Sequence, residues 1–315
     1  MTGIVYICAA GHCGSTLLDL LIGSHSNAAS LGEISHLPKN VALNTLCSCG
    51  ERVRSCPVWG SVLDDLSARL GSDYWQLPYQ LVLGYPNPTD IVDPEFHTDW
   101  YKVRRRLRLA LRYLELTVQN RHLHSLVDRL DPTVRHSFAL YRSVGSRLNV
   151  DWVVDSSKNY MKALALYREM PSKVRIILLT RDGRGVLHSM LKRGFNRRES
   201  IENWKRYYER SALLLERHIA AQHLLTIRYE DLTAATQEAL GRVCAFLQIP
   251  HESGMRDFAS HTHHITNGNN MRFTKDSTIR PDMEWKEKLA KIDISDFQDL
   301  AGGLNARLGY ERSPA

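Results

Sequence analysis

No stretch of this chain is apolar for long enough to cross a bilayer, which excludes a membrane-spanning helix from the expectation. A secretory leader is not expected either. The first strand pattern starts at Ile4, with neither a basic segment nor a long apolar segment before it, so the expected compartment is the cytoplasm. Internal repeats and low-complexity tracts are absent. So is a dense basic patch interleaved with aromatics, the usual footprint of nucleic-acid binding. In a reducing compartment the six cysteines do not suggest a disulfide framework. What is present is an ordinary globular composition, 43% hydrophobic and 24% charged over 315 residues, enough for one large α/β domain or two small ones. The net charge of +7 suits an anionic ligand without requiring one.

Strand and helix signals cluster at the two ends of the chain. Ile4–Cys8 reads as a strand, a compact Gly-rich loop follows, and a helical apolar pattern starts at Leu17 with Leu18, Leu21 and Ile22 on one face. Ala28–Leu31 reads as a second strand ending in Gly32-Glu33. The α/β alternation resumes with a strand at Trp152–Val154 and a helix at Tyr160–Glu169. Val174–Thr180, VRIILLT, is apolar almost throughout, as in a parallel strand buried on both faces. Helices to about Arg193 and over Ser200–Ala221, a strand at Leu224–Tyr229 and a helix at Thr236–Gln248 complete the pattern. Helices around Asp282–Leu289 and before Leu308 close the chain. Between the two parts, about 37–150, no βαβ alternation is visible. This region holds a cysteine cluster, a Pro-rich connector at 77–96, a helical stretch over Asp99–Arg129 and a further helix over Pro132–Leu148. In the long stretch Val103, Leu107, Leu111 and Leu114 share a face, and Arg104, Arg105, Arg108 and Arg112 the adjacent one. The expected fold is α/β, a P-loop-NTPase-like central parallel sheet flanked by helices. The whole chain is expected to form one domain, with a mostly helical insertion covering the acceptor side.

The loop Gly11-His12-Cys13-Gly14-Ser15-Thr16 sits where strand gives way to helix. Backbone N–H groups and the positive end of the helix dipole converge there, which favours an anion. A nucleoside-triphosphate loop would carry lysine where Ser15 stands, and Ala9 replaces its first glycine. No acidic strand end makes a convincing partner for magnesium, since Asp155 and Asp182 both suit other roles. The cradle is present and the metal-dependent machinery is not. A second constellation, RDGRGVLHS, places Arg181 at a strand end and Ser189 two turns into the next helix. Arginine suits bidentate phosphate binding and serine adds a hydroxyl. Both belong to the edge of the sheet where open α/β folds bind ligands. A nucleotide with phosphates at both ends of its ribose would satisfy the two sites.

At this point the chain resembles the sulfotransferases that use 3′-phosphoadenosine-5′-phosphosulfate (PAPS). GHCGSTLL is similar to their 5′-phosphosulfate loop and RDGRGVLHS to their 3′-phosphate motif. LTIRYEDL, with Tyr229, is similar to a third strand-end motif, and GNNMRF, with Asn269 and Arg272, to the C-terminal nucleotide loop. The likeness covers about 1–35 and 151–310 and is closer to the bacterial and tyrosylprotein type than to the cytosolic one. It implies PAPS as co-substrate, no metal requirement, and a small-molecule, glycan or peptide acceptor with no nucleic acid or membrane partner. It also implies that Glu33, in its Leu31-Gly32-Glu33 context, is the general base. The family usually has Lys or Arg where His12 stands. A histidine there can donate a hydrogen bond and, when protonated, a charge. Lys158, in DSSK, is the candidate for a permanent charge near the leaving group.

Other readings stay open beside these. His36, one turn after Glu33, is the competing base. Cys47, Cys49 and Cys56 are three potential thiolate ligands with His36 as a fourth, but no second pair is visible, and a packed, reduced cluster is the default. His261, His263 and His264 read as a polar loop rather than a metal tract. Cys13, at a helix start, lacks a redox partner. The Arg104–Arg112 face reads as solvated, with attraction of an anionic acceptor as the alternative. Trp204, Tyr207 and Tyr208 are expected to pack the long helix onto the core. A P-loop kinase, marked by magnesium and ATP dependence, is the second enzyme class. A non-catalytic nucleotide- or RNA-binding module, indifferent to loss of Glu33, is the third reading.

Overall fold

A computed structural model describes residues 2–85, 98–118 and 121–311. Most of the Pro-rich connector therefore lies outside the described residues. The elements in chain order are β1 (Gly3–Cys8), α1 (Ser15–Ile22), β2 (Ala28–Ser30), α2 (Leu37–Ala42), α3 (Pro57–Leu70), α4 (Asp99–Val118), α5 (Arg121–Leu130) and α6 (Thr133–Leu148). Then follow β3 (Trp152–Asp155), α7 (Tyr160–Glu169), β4 (Val174–Thr180), α8 (Gly183–Leu191), α9 (Arg197–His218), β5 (Leu224–Arg228), α10 (Tyr229–Ala234), α11 (Thr236–Leu247), α12 (Trp285–Lys288) and α13 (Lys291–Arg307).

The five strands form one parallel sheet in the order β2-β3-β1-β4-β5. Register is set at the centre, where Val5 lies beside Val154 on one side and Arg175 on the other. Every residue of β1 is buried, and β4 is buried but for Arg175. This is the physical content of their uninterrupted apolar runs: helices cover both faces, so neither face has to be polar. The edges are different. β2 has three residues, and Leu224, Leu225 and Thr226 of β5 remain partly open. Short or half-polar edges resist pairing with another chain.

α8, α9 and α13 pack as a group on one side. Trp204 anchors them, its ring 5.3 Å from Tyr208 and 5.4 Å from Phe297. The aromatics of α9 thus pack as expected. α2 to α6 fill the crossover between β2 and β3, and α2, α3, α4 and α6 share the same hydrophobic core, through Val41, Trp59, Leu63, Leu116 and Leu140. Among the described residues no helix is long and apolar enough to cross a membrane.

The insertion departs from expectation in one respect. The stretch read as a single helix is two, α4 and α5, and the face of α4 turned inward is the charged one. Val103, Leu107 and Leu114 are about half exposed, whereas Arg112 and Glu115 are fully buried. Arg112 donates to Glu115 at 3.2 Å, Asp128 at 2.8 Å and Asp131 at 3.3 Å. Asp131 also accepts from the Tyr85 hydroxyl at 2.5 Å. A buried guanidinium with three carboxylates decides how α5 folds back on α4, because none of these charges could be left unpaired there. Arg112 therefore belongs to the core, not to a solvated face.

Candidate active site

The C-terminal ends of the five strands carry all of the strand-end candidates. Glu33 follows β2, Lys158 follows β3, the Gly11–Thr16 loop follows β1, Arg181 follows β4 and Tyr229 follows β5. Strand order converts this into a spatial row, with the loop in the middle, Glu33 and Lys158 on one side, and Arg181 and Tyr229 on the other.

The loop takes its shape from two left-handed residues, His12 at φ 62° and Gly14 at φ 87°. Gly14 caps α1 with no side-chain hydrogen bond, so the first N–H groups of α1 are presented outward. A Cβ at Gly14 would lie 2.5 Å from the Tyr229 ring. Glycine is required there both for its backbone conformation and for that ring. Thr16 Oγ1 accepts the N–H of Asn269 at 3.2 Å, and Arg272 donates to the Gly268 carbonyl at 2.5 Å. The C-terminal loop thus folds over the start of α1, bringing Asn269 and Arg272 to the same side. Cys13 is buried against the Tyr208 hydroxyl, 3.2 Å away, and burial pushes its thiol up to about 11. A helix N-terminus does not activate this cysteine.

Arg181 is 5% exposed and fully engaged. It donates to the His12 carbonyl at 2.8 Å and to the Asp282 carboxylate at 2.9 Å, and it stacks 4.5 Å from the centre of the Tyr229 ring. Asp282 N–H in turn donates to the Tyr229 hydroxyl at 3.3 Å. The guanidinium shapes the loop and holds a carboxylate, the same kind of planar anion partner as a phosphate edge. Ser189 stands two turns along, half-buried on α8. Asp282 was not foreseen from sequence, since nothing in the surrounding residues distinguishes it.

Glu33 and Lys158 meet, with Nζ 2.5 Å from Oε1, across 125 residues of sequence. Neighbouring strands make this possible: Ser156 N–H donates to the Gly32 carbonyl at 3.0 Å, extending the β2–β3 ladder. Lys158 is left-handed at φ 67°, and its carbonyl accepts the Tyr207 hydroxyl at 2.6 Å, which fixes the turn. The Glu33 N–H donates to the Asn267 carbonyl at 3.2 Å, while Gly32, at φ 68°, passes so close that a Cβ would be 2.5 Å from that same oxygen. Beneath them Asp19 is fully buried and accepts from Ser156 at 2.6 Å, and burial pushes its carboxyl well above the usual carboxylate range.

The pKa of His12 is lowered from its ordinary value. Burial lowers its pKa first, and the charges of Arg193, Lys158 and Arg181 add to the effect. This disfavours the protonated form of His12 and leaves the neutral ring able to donate a hydrogen bond. The three cations responsible surround the loop, however, and Arg193 is one that the motifs did not flag. Its signal was its position just past the helix carrying Ser189.

His36 Nε2 lies 3.9 Å from Glu33 Oε2, the carboxylate oxygen other than the one Lys158 holds. It does not join the cysteine cluster; the imidazole beside those thiols is that of His264. His36 instead lines a cavity of about 340 Å³ with Ser35, Tyr79, Tyr101, Arg104 and Arg108. Two arginines of the face read as solvated therefore border the pocket that His36 lines. The histidine tract is likewise ordered: His263 is buried, hydrogen-bonded to Ser30 at 2.7 Å and to the Phe258 carbonyl at 3.0 Å.

A profile of the sulfotransferase family matches residues 86–253. The solved sulfotransferase domain from the curacin biosynthetic pathway superposes with a TM-score of 0.55 at 19% identity, covering 99% of both chains. The sulfotransferase domain of the Synechococcus PCC 7002 olefin synthase gives 0.54 at 16% identity, over 98% of this chain and 94% of that one. The sulfotransferase STF9 from Mycobacterium avium gives 0.51 at 12% identity, over 100% and 79%. At such identities the likeness is one of fold. No curated protein sequence matches the chain. The match over more than half its length makes this chain a member of the sulfotransferase family, and hence a group-transfer enzyme.

Proposed function

We propose that this sulfotransferase takes its sulfuryl group from PAPS and passes it to the hydroxyl of a small molecule, with Glu33 as the general base. The observation that carries the reading is the contact between Glu33 and Lys158 beside the phosphate loop. A general base and a permanent cation are the two groups that this in-line transfer uses. Glu33 takes the acceptor proton as the acceptor oxygen bonds to sulfur. Lys158 stabilises the charge left on the departing phosphate as its bond to sulfur breaks, and His12 can add a hydrogen bond there.

In this reading the N–H groups of residues 11–16 bind the 5′ end of the donor. Arg181, Ser189 and the loop carrying Asn269 and Arg272 bind the 3′-phosphate side, with Tyr229 packed beneath. Arg181 would exchange Asp282 for the phosphate. The cavity beside His36 supports an acceptor of small-molecule size. Arg104 and Arg108 on its wall favour one that carries a negative group. The insertion and the sheet share one core and are taken to act as a single domain.

Calorimetric titration with 3′-phosphoadenosine-5′-phosphate, ADP and ATP, with and without magnesium, tests the donor. The doubly phosphorylated nucleotide is expected to bind tightest in both conditions. Magnesium-dependent preference for ATP would overturn the assignment. Arg181→Ala should abolish the preference for the 3′-phosphate while leaving weak binding of ADP.

A further inference from the structure

Away from the Glu33–Lys158 pair, three thiols and one imidazole converge. Cys47 and Cys49 sit on a tight turn. Cys47 N–H donates to the Glu51 carbonyl at 2.8 Å, and Gly50 N–H, at φ 93°, returns to the Cys47 carbonyl at 3.0 Å. Cys56 immediately precedes α3. His264 arrives from a loop 208 residues further on, with Nδ1 3.2 Å from Cys56 Sγ. Cys49 Sγ lies 3.7 Å from Cys56 Sγ, and the four ligand atoms all lie within 4.8 Å of one another.

The separations of 3.2 Å and 3.7 Å, with no pair beyond 4.8 Å, leave the four atoms little more than a metal tetrahedron apart. Bonds of about 2.3 Å to sulfur and about 2.0 Å to nitrogen give edges of about 3.4–3.8 Å. Thiolate and imidazole donors select zinc over magnesium or calcium, and four protein ligands leave no open position, as in structural rather than catalytic sites. The imidazole is held in place by the backbone on either side. Ser48 N–H donates to the Ile265 carbonyl at 2.9 Å, Ser48 Oγ to the His263 carbonyl at 2.6 Å, and Ile265 N–H to Ser48 Oγ at 2.8 Å. Trp59 Nε1 donates to the carbonyl of His264 itself at 2.8 Å. Packing of reduced thiols would not call for a ring nitrogen aimed at them from so distant a segment.

We propose that Cys47, Cys49, Cys56 and His264 bind one structural zinc ion that clips the start of the insertion to the loop carrying Asn267, Asn269 and Arg272. That loop touches both halves of the site: Asn267 holds the Glu33 N–H and Asn269 donates to Thr16. The consequence for the donor, that losing the ion weakens nucleotide binding, rests on the function proposed above. The existence of the site does not.

The experiment uses the full chain, untagged and grown with zinc available. Metal analysis should find one zinc per chain, released by a mercurial thiol reagent. The cobalt-substituted protein should show the intense visible bands of tetrahedral cobalt and near-ultraviolet thiolate charge transfer. His264→Ala and Cys49→Ser should lose the ion, and His36→Ala should keep it. If the substituted proteins do not fold, the cobalt spectrum of the unsubstituted chain still decides. Folded protein that holds no stoichiometric metal and gives no charge-transfer band would overturn the proposal, as would a Cys49–Cys56 disulfide found by peptide mass spectrometry. Zinc loss that leaves binding of 3′-phosphoadenosine-5′-phosphate unchanged would overturn the coupling. A zinc-loaded protein that never binds that nucleotide would instead count against the donor assignment.

Discussion

Glu33→Gln separates chemistry from architecture more sharply than any other single change. The amide is nearly the same size, keeps an oxygen for Lys158 Nζ, and removes only the charge and the ability to take a proton. The side chains of Glu33 and Lys158 are 18% and 22% exposed, so the pair is neither a surface bridge nor a deeply buried one. Its net contribution to folding is about 1 kcal/mol, since partial hydration offsets the Coulomb attraction. In a chain of this size that corresponds to a fall in Tm of roughly 2 °C. Loss of a general base costs about 100- to 10,000-fold in rate, or about 3–5 kcal/mol of transition-state stabilisation. The two effects differ enough to be told apart in one protein preparation.

The assay is transfer of labelled sulfuryl from PAPS to a panel of small phenols and alcohols bearing acidic groups, alongside a thermal melt and calorimetric binding of 3′-phosphoadenosine-5′-phosphate. Glu33→Gln should lose at least about 100-fold in kcat, melt within a few degrees of wild type and bind the nucleotide normally. Lys158→Met should also lose kcat. The double substitution should cost about as much as the worse single one, because the two groups act on the same transition state. Near-normal turnover by Glu33→Gln would refute the reasoning. If His36→Gln is the substitution that lowers kcat, the base is the imidazole 3.9 Å away.

Three other substitutions test the surroundings of the site and the core. Gly14→Ala places a methyl 2.5 Å from the Tyr229 ring in a left-handed backbone, so a loss of about 1–3 kcal/mol in stability and weaker nucleotide binding are expected, by urea titration and calorimetry. An unchanged urea midpoint would show that the ring yields freely. Asp282→Asn removes the carboxylate that competes for Arg181 and should tighten binding of 3′-phosphoadenosine-5′-phosphate by about threefold to tenfold. Weaker binding would mean that Asp282 braces the site rather than holding it in reserve. His136 accepts the Val82 N–H at 3.0 Å; burial first, then the Arg135 charge, lowers its pKa to about 4. Its neutral form belongs to the fold, so its contribution is complete above the unfolded value near 6.5 and is lost as pH falls toward 4, at a cost of about 2 kcal/mol after solvent screening. His136→Gln should therefore show a shallower fall in urea midpoint between pH 7 and pH 4.5 than wild type, and parallel curves would exclude this group.

The sheet was legible because burial on both faces leaves a mark that local sequence cannot hide, as in GIVYIC and VRIILLT. The individual strand-end residues were legible for the same reason, since each stands where such a run stops. Their partnerships were not. That Glu33 meets Lys158 depends on β3 inserting between β2 and β1, a fact of topology set by the crossover through the insertion. The helical period of α4 was real but misleading about which face is buried. A guanidinium satisfied by three carboxylates is as acceptable to the core as a leucine, and hydrophobicity counts it as surface. The cysteine cluster was half legible: its three thiols lie within ten residues of sequence, and the imidazole beside them lies on a loop whose place is fixed by Ser48 and Trp59.

His12 brings these lines together. Judged by its motif, it weakens the resemblance, because a neutral imidazole stands where relatives have a cation. The strand order supplies what the loop lacks. Lys158 comes in from β3 on one side and Arg181 from β4 on the other, and with Arg193 their charges add to burial in lowering the pKa of His12. Charge at an anion site is a property of the field and not of one position, so in the proposed reaction Lys158 would supply the cation from a neighbouring strand. It follows that restoring the usual residue, His12→Lys, would add a fourth cation to a site already holding three. Donor affinity should rise, while kcat should gain little, because ground state and transition state would be stabilised alike. A large gain in kcat would show instead that Lys158 is committed to Glu33 and leaves the departing charge uncompensated.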